Sequence, residues 1–142
     1  MSIQTQPIVK PKTYSQEDAF EASVKYFNGD DLAARVWINK YALKDSEGNL
    51  YELTPNDMHK RIAKEIARVE SRYPNPLSEQ EIFDLIKDFK YIVPQGSPMA
   101  GIGNPYQIAS LSNCFVIGND GNSDSYGGIM KIDQEQVQLM KR

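Results

Sequence analysis

Apolar side chains recur at helical spacing from Ser15 to Lys90, and from Tyr91 to Asn113 that period is lost. Phe20, Val24 and Phe27 form one stripe, with Ser15 and Asp18 at capping-box spacing ahead of it and Asn28-Gly29 as a stop behind it. Asp30 can cap a second helix running to Tyr41, with Leu32, Val36 and Trp37 expected inward. A turn-rich stretch, Lys44-Asp45-Ser46-Glu47-Gly48-Asn49, predicts a short hairpin or an irregular loop. Thr54-Pro55-Asn56-Asp57 then opens a helix whose inner face is Met58, Ile62, Ile66 and Val69, with Lys60, Arg61, Lys64 and Glu65 outside. Tyr73-Pro74-Asn75-Pro76 ends it. Ser78 and Glu81 start a fourth helix, with Ile82, Leu85, Ile86 and Phe89 inward.

From Tyr91 to Asn113 the chain is rich in Gly, Pro and Ser and reads as loop. Cys114 to Gly118 (CFVIG) is an apolar run short enough for one buried strand. A polar turn follows over Asn119 to Ser123. Asp124 can then cap a last helix presenting Ile129, Ile132, Gln136 and Met140. A lone strand cannot satisfy its own ladder groups, so the pattern predicts pairing with another chain or with a continuation of this one. The expected organisation is a loose arm over 1–13, a helical domain over 14–92 and an unfinished unit over 93–142.

Composition narrows the classes. The 142 residues are 40% hydrophobic and 25% charged, a globular balance in a length suited to one domain. A net charge of −3 gives no basic surface for nucleic acid, and no apolar run is long enough for a bilayer. The first residues lack the apolar core of a secretory signal. With one cysteine and one histidine, the chain holds neither an internal disulfide nor a multi-histidine metal site. A soluble cytoplasmic protein is expected, with no nucleic-acid or membrane partner and no metal site of its own.

Candidate chemistry gathers between Gln95 and Ser125. The Gly- and Pro-rich loop is either a plain connector or a segment whose backbone approaches a ligand closely. Gly101-Ile102-Gly103 lacks the third glycine of a dinucleotide fingerprint. Cys114 reads either as an inert core residue or as a working thiol. His59 reads as a solvated or capping residue on the polar flank of its helix. Asp124 and Ser125 are explained by a helix start, which can also receive the hydroxyls or phosphate of a nucleotide.

The segments SPMAGIGNP, SLSNCFVIG and DSYGGI, in this order, resemble the start of the catalytic chain of ribonucleotide reductase, most closely the adenosylcobalamin-dependent class II enzymes. ARVWINKYALKDSEGN and ELTPNDMHKRIA extend the likeness back toward Ser15. The resemblance implies an α+β fold: a small N-terminal helical domain, then the first strand and helix of an incomplete α/β barrel of the ten-stranded type. It implies that Cys114 is the redox-active thiol, which in that family forms a disulfide with a distant cysteine while the ribose loses its 2′-hydroxyl. It assigns Ser97, Met99, Ala100, Ser112 and Asn113 to substrate binding, and Asp124 and Ser125 to an allosteric deoxynucleotide effector.

The family's radical-bearing cysteine, its neighbouring carboxylate and the partner of the redox cysteine lie downstream of the matching segments and have no counterpart here. One cysteine cannot both carry a thiyl radical and complete a dithiol, so the chain alone is expected to be inactive. The resemblance implies as partners the C-terminal remainder of the reductase or a split partner chain, a ribonucleotide, a deoxynucleotide effector, a thioredoxin-type reductant and a second copy in a homodimer. Adenosylcobalamin is expected on the missing part. The reading is an oxidoreductase acting on CH or CH2 groups with a disulfide as acceptor, incomplete as given. Two alternatives stand beside it: a fragment of a class I large chain, and a non-catalytic helical interaction or nucleotide-sensing module.

Overall fold

Four short polar signals set the helix starts of the N-terminal unit. In the computed structural model, which describes residues 12–118, 121 and 123–141, Ser15 Oγ accepts from the Asp18 amide at 3.0 Å and begins α1 (Gln16–Tyr26). Asp30 accepts from the Ala33 amide at 2.9 Å and begins α2 (Asp31–Lys40). Asp57 reaches back to the Thr54 amide at 3.2 Å to open α3 (Pro55–Glu70), and Glu81 to the Ser78 amide at 2.8 Å to open α4 (Glu79–Ile86). Each acid also meets the positive end of its helix dipole. Between α1 and α2, Asn28 and Gly29 take positive φ, so the reversal falls where a left-handed backbone is tolerated.

The helices pack in pairs, α1 on α2 and α3 on α4. Their shared core holds Trp37, Ile38, Leu50, Met58, Ile62, Ile82 and Ile86. Small residues bring the backbones together. Ala19 and Ser23 are the buried positions of α1, with Phe20 and Phe27 only partly covered beside them. On α2 the inward residues are Ala34, Trp37 and Ile38, whereas Leu32 and Val36 are exposed, contrary to the sequence expectation. The true stripe runs 34, 37, 38, 41, and weighting bulk over spacing rotates the face away from it.

The 44–51 connection is an irregular turn centred on Asp45. Its carboxylate accepts from the Glu47 and Asn49 amides, both at 2.9 Å, and from the Tyr51 hydroxyl at 2.8 Å. The Asn49 side-chain amide, donating to the same carboxylate at 2.8 Å, does most to hold its carboxyl down at about 2, and these bonds add to the effect.

The expected α+β architecture is not found. Among the described residues there is no strand; the only β-type pairings are isolated antiparallel bridges of Leu50 with Tyr14 and with Lys44. Cys114 to Gly118 carries no ladder, and Val116 is 100% exposed. An apolar run becomes a strand only when another backbone meets its N–H and C=O groups, and none does so among the described residues. The first strand of an α/β barrel is therefore absent, and the observed architecture is all-helical. The 91–113 stretch also contains a helix that the sequence reading missed, α5 (Gly96–Gly101). The last helix, α6 (Tyr126–Met140), is capped by Ser125, whose Oγ accepts from the Gly128 amide at 3.0 Å, and not by Asp124. Its expected inner residues Ile129 and Met140 are exposed.

His59 is the other correction. It is fully buried, not on a polar flank, and its ring meets Phe89 edge-on at 4.6 Å between centroids. Phe89 is brought there by a tight turn after α4 in which Asp88 and Phe89 both have positive φ. Neither ring nitrogen of His59 finds a hydrogen-bond partner among the described residues. Burial lowers its pKa from the ordinary histidine value, with Asp88 pulling weakly the other way. Folded protein thus resists a proton that the unfolded chain accepts near pH 6.5, so stability is full above that pH and falls as pH drops through it. The loss cannot exceed about 1.4 kcal/mol per pH unit. In thermal melts between pH 7.5 and 5.5, His59→Leu is expected to flatten this slope and to match or exceed the native stability at pH 5.5, because it removes two unsatisfied polar atoms. An unchanged slope would exclude His59 as its source.

Candidate functional site

The site is built around α5 and the chain on either side of it. Gly96, at its start, packs on the ring of Tyr41: a β-carbon there would stand 3.5 Å from Tyr41 Cε1. At the same end the Ser97 amide donates to Asn113 Oδ1 at 2.9 Å, closing the 97–113 segment into a loop. At the other end, Met99 and Ile102 turn into the helical core. Asn104 steadies the exit, donating from Nδ2 to the Ala100 carbonyl at 3.3 Å and accepting from the Tyr106 amide at 2.9 Å. Tyr106 then stacks on Tyr51 with centroids 4.8 Å apart.

One side chain of α3 binds this segment to the helices. Arg61 Nε donates to Glu52 Oε1 at 2.7 Å, Nη2 to the Met99 carbonyl at 3.0 Å, and Nη1 to the Ile102 carbonyl. Glu52 in turn accepts from the Leu43 amide at 2.8 Å. The two charged side chains are only 9% and 4% exposed. The sequence reading put Arg61 outside with Lys60 and Lys64; its burial follows from a carboxylate and two carbonyls that no helical period announces. Gly103 completes the dock. Its φ is +69°, and a β-carbon would lie 2.9 Å from Arg61 Cγ and 3.3 Å from the Arg61 carbonyl. Beside it, Ile66 and Val69 of α3 face Ile102, Ile108 and Leu111 across an open, mostly apolar groove of about 700 Å³.

The sequence-derived candidates fall into three places. Ser97, Met99 and Ala100 are half-buried on α5. Ser112, Asn113 and Cys114 are exposed on the returning chain, and Asn113 brings them back to the start of α5. Asp124 and Ser125 lie at the start of α6, and the hydrogen bonds that knit 96–113 together do not extend to Asp124 among the described residues. The thiol of Cys114 is thus open to solvent, not a packed core sulfur.

A family model described as "Ribonucleotide reductase, all-alpha domain" matches residues 27–105, more than half of the chain. The chain belongs to the ribonucleotide reductase family. No curated protein and no solved structure matched it. The reductase match begins just after α1 and runs through α5 and Gly103, so it covers α2 to α5, the Arg61–Glu52 pair and the docked segment. Ser97, Met99 and Ala100 lie within it; Ser112, Asn113, Cys114, Asp124 and Ser125 lie beyond it. Among the described residues no helix is long and apolar enough to cross a membrane, and among the same residues no group of three or more His, Cys, Asp or Glu is placed to hold a metal ion.

Proposed function

We propose that the chain supplies the all-α unit and the adjoining substrate segment of a ribonucleotide reductase of the adenosylcobalamin-dependent class. The observation that carries this reading is the exposed Cys114 thiol, held next to α5 by the Asn113–Ser97 hydrogen bond, in a chain of this family. In the intact reaction the 2′-hydroxyl of the ribose leaves as water and hydrogen takes its place. Two thiols supply the electrons and become a disulfide. Cys114 is one of them; the second belongs to another part of the enzyme, because this sequence has a single cysteine. A dithiol protein of the thioredoxin type restores the pair. Ser97, Met99 and Ala100, with Ser112 and Asn113, hold the ribonucleotide, and Asp124 and Ser125 hold the deoxynucleotide effector.

The residues present do not fit a corrin. The only imidazole, His59, is sealed in the core with no open face, and the groove beside Ile66 is open and offers no nitrogen ligand. On the class II reading the cofactor is held by other parts of the enzyme.

The test mixes the chain with the segments that complete the reductase and follows deoxynucleotide formation with dithiothreitol as reductant. Product that requires adenosylcobalamin is the expected result. Product that requires a separate radical-generating subunit instead would move the assignment to class I. Nucleotide binding with no product under either condition would overturn the enzymatic reading in favour of a sensing module.

A further inference from the structure

We propose that Arg61, in the all-α unit, is a positioning residue for the ribonucleotide: its guanidinium fixes where α5 stands, and through α5 the substrate-facing residues Ser97 to Ala100. This rests on the assignment of those residues to substrate binding.

At the C-terminus of α5, carbonyls lack partners within their own helix. Two of the carbonyls near that end, those of Met99 and Ile102, are directed at α3 and meet one planar cation. A guanidinium has five N–H donors in a fixed fork, so its orientation is determined once three acceptors are engaged. Here Glu52 takes Nε, Met99 takes Nη2 and Ile102 takes Nη1. Glu52 cannot swing, since its other oxygen holds the Leu43 amide at 2.8 Å. The chain of contacts from the end of α2 to the end of α5 therefore contains no free rotor. Gly103 lets the segment after α5 lie directly against the Arg61 backbone. A helix of six residues is about 9 Å long and moves as a rod, so a shift at Met99 is felt at Ser97.

Lysine in place of Arg61 keeps the charge but places one ammonium where three directed donors are needed. Gly103→Ala breaks the same dock by another route, crowding the Arg61 stem and backbone while keeping both charged groups. Hydrogen exchange on the chain tests the latch. The amides of Met99, Ile102 and Asn104 donate to the Gln95, Pro98 and Gly101 carbonyls, and report on α5 and its exit. In Arg61→Lys and in Gly103→Ala these three amides are expected to exchange at least tenfold faster than in the native chain, while the Ile62 and Ala63 amides keep their protection. Steady-state kinetics of the assembled reductase tests the positioning. Arg61 touches no reacting atom, so Arg61→Lys should raise the KM for the ribonucleotide about tenfold, equivalent to about 1.4 kcal/mol of binding, with kcat within about twofold. If Arg61→Lys does not fold, Gly103→Ala carries both measurements. Unaltered exchange in the folded variants overturns the latch. Faster exchange with an unaltered KM, or with kcat falling alone, overturns the positioning role. An inactive native assembly would instead count against the reductase reading itself, which separates the two failures.

Discussion

Serine at position 114 is expected to bring dithiol-driven ribonucleotide reduction to background in the assembled enzyme while leaving the melting temperature of the chain unchanged. The two halves of this expectation have separate causes. Cys114 is exposed and lies outside the hydrophobic core, so exchanging sulfur for oxygen removes no packing; a surface change of this kind stays within about 0.5 kcal/mol. Chemically the change is complete, because a hydroxyl cannot form the disulfide that carries two electrons out of the site. The native chain offers a simpler check. Its single thiol should titrate one-for-one with an aromatic disulfide reagent without denaturant, since exposure controls access as thiolate fraction controls rate. A Cys114→Ser enzyme that turns over normally would remove the thiol from the mechanism. A native thiol that reacts only after unfolding would remove its exposure.

The parts of this fold legible from sequence are those specified by local chemistry. Ser15, Asp30, Thr54 and Ser78 announce helix starts because a cap and its acid lie within one turn of each other, and the hydrogen bonds are found where the spacing put them. Inner faces were less legible. Ala19, Ser23 and Ala34 are fully buried, and small residues carry little hydrophobic signal even where they are completely covered. CFVIG looks like a strand by composition, but pairing is a long-range property, and the described residues provide no partner edge. The candidate site divides in the same way. Ser97, Asn113 and Cys114 could be selected by motif, and the structure joins Ser97 to Asn113 through one hydrogen bond. The pair that docks their segment, Arg61 and Glu52, could not, because its acceptors are main-chain carbonyls of Met99 and Ile102, which have no side-chain signature. His59 illustrates the converse: neighbouring polar residues hide a ring that the left-handed turn at Asp88 and Phe89 closes over.

Glu52→Ala is expected to destabilise the chain strongly. The carboxylate is 4% exposed and serves Arg61 Nε and the Leu43 amide together, so its removal leaves a buried cation without its counter-charge and a backbone donor without an acceptor. Removing one member of a buried pair costs about 3–5 kcal/mol, which for a domain of this size lowers the melting temperature by on the order of 10 °C. Salt distinguishes this pair from the surface ones. The penalty should change little between 0.1 and 1 M salt, because buried charges are poorly screened, whereas any contribution of the exposed Arg68–Glu65 pair should fade. Adding Arg61→Met to Glu52→Leu removes the stranded charge, and the double variant should recover part of the loss measured by denaturant midpoint. Recovery stays incomplete, because the Met99 and Ile102 carbonyls and the Leu43 amide keep no partner, each at about 1–3 kcal/mol if still excluded from water. Its α5 amides should exchange as fast as those of Arg61→Lys even where its helices have regained stability. A Glu52→Ala penalty below about 1 kcal/mol would mean that the pair is solvated, and a double variant with native exchange at Met99 and Ile102 would mean that apolar contacts alone hold α5 on the helical core.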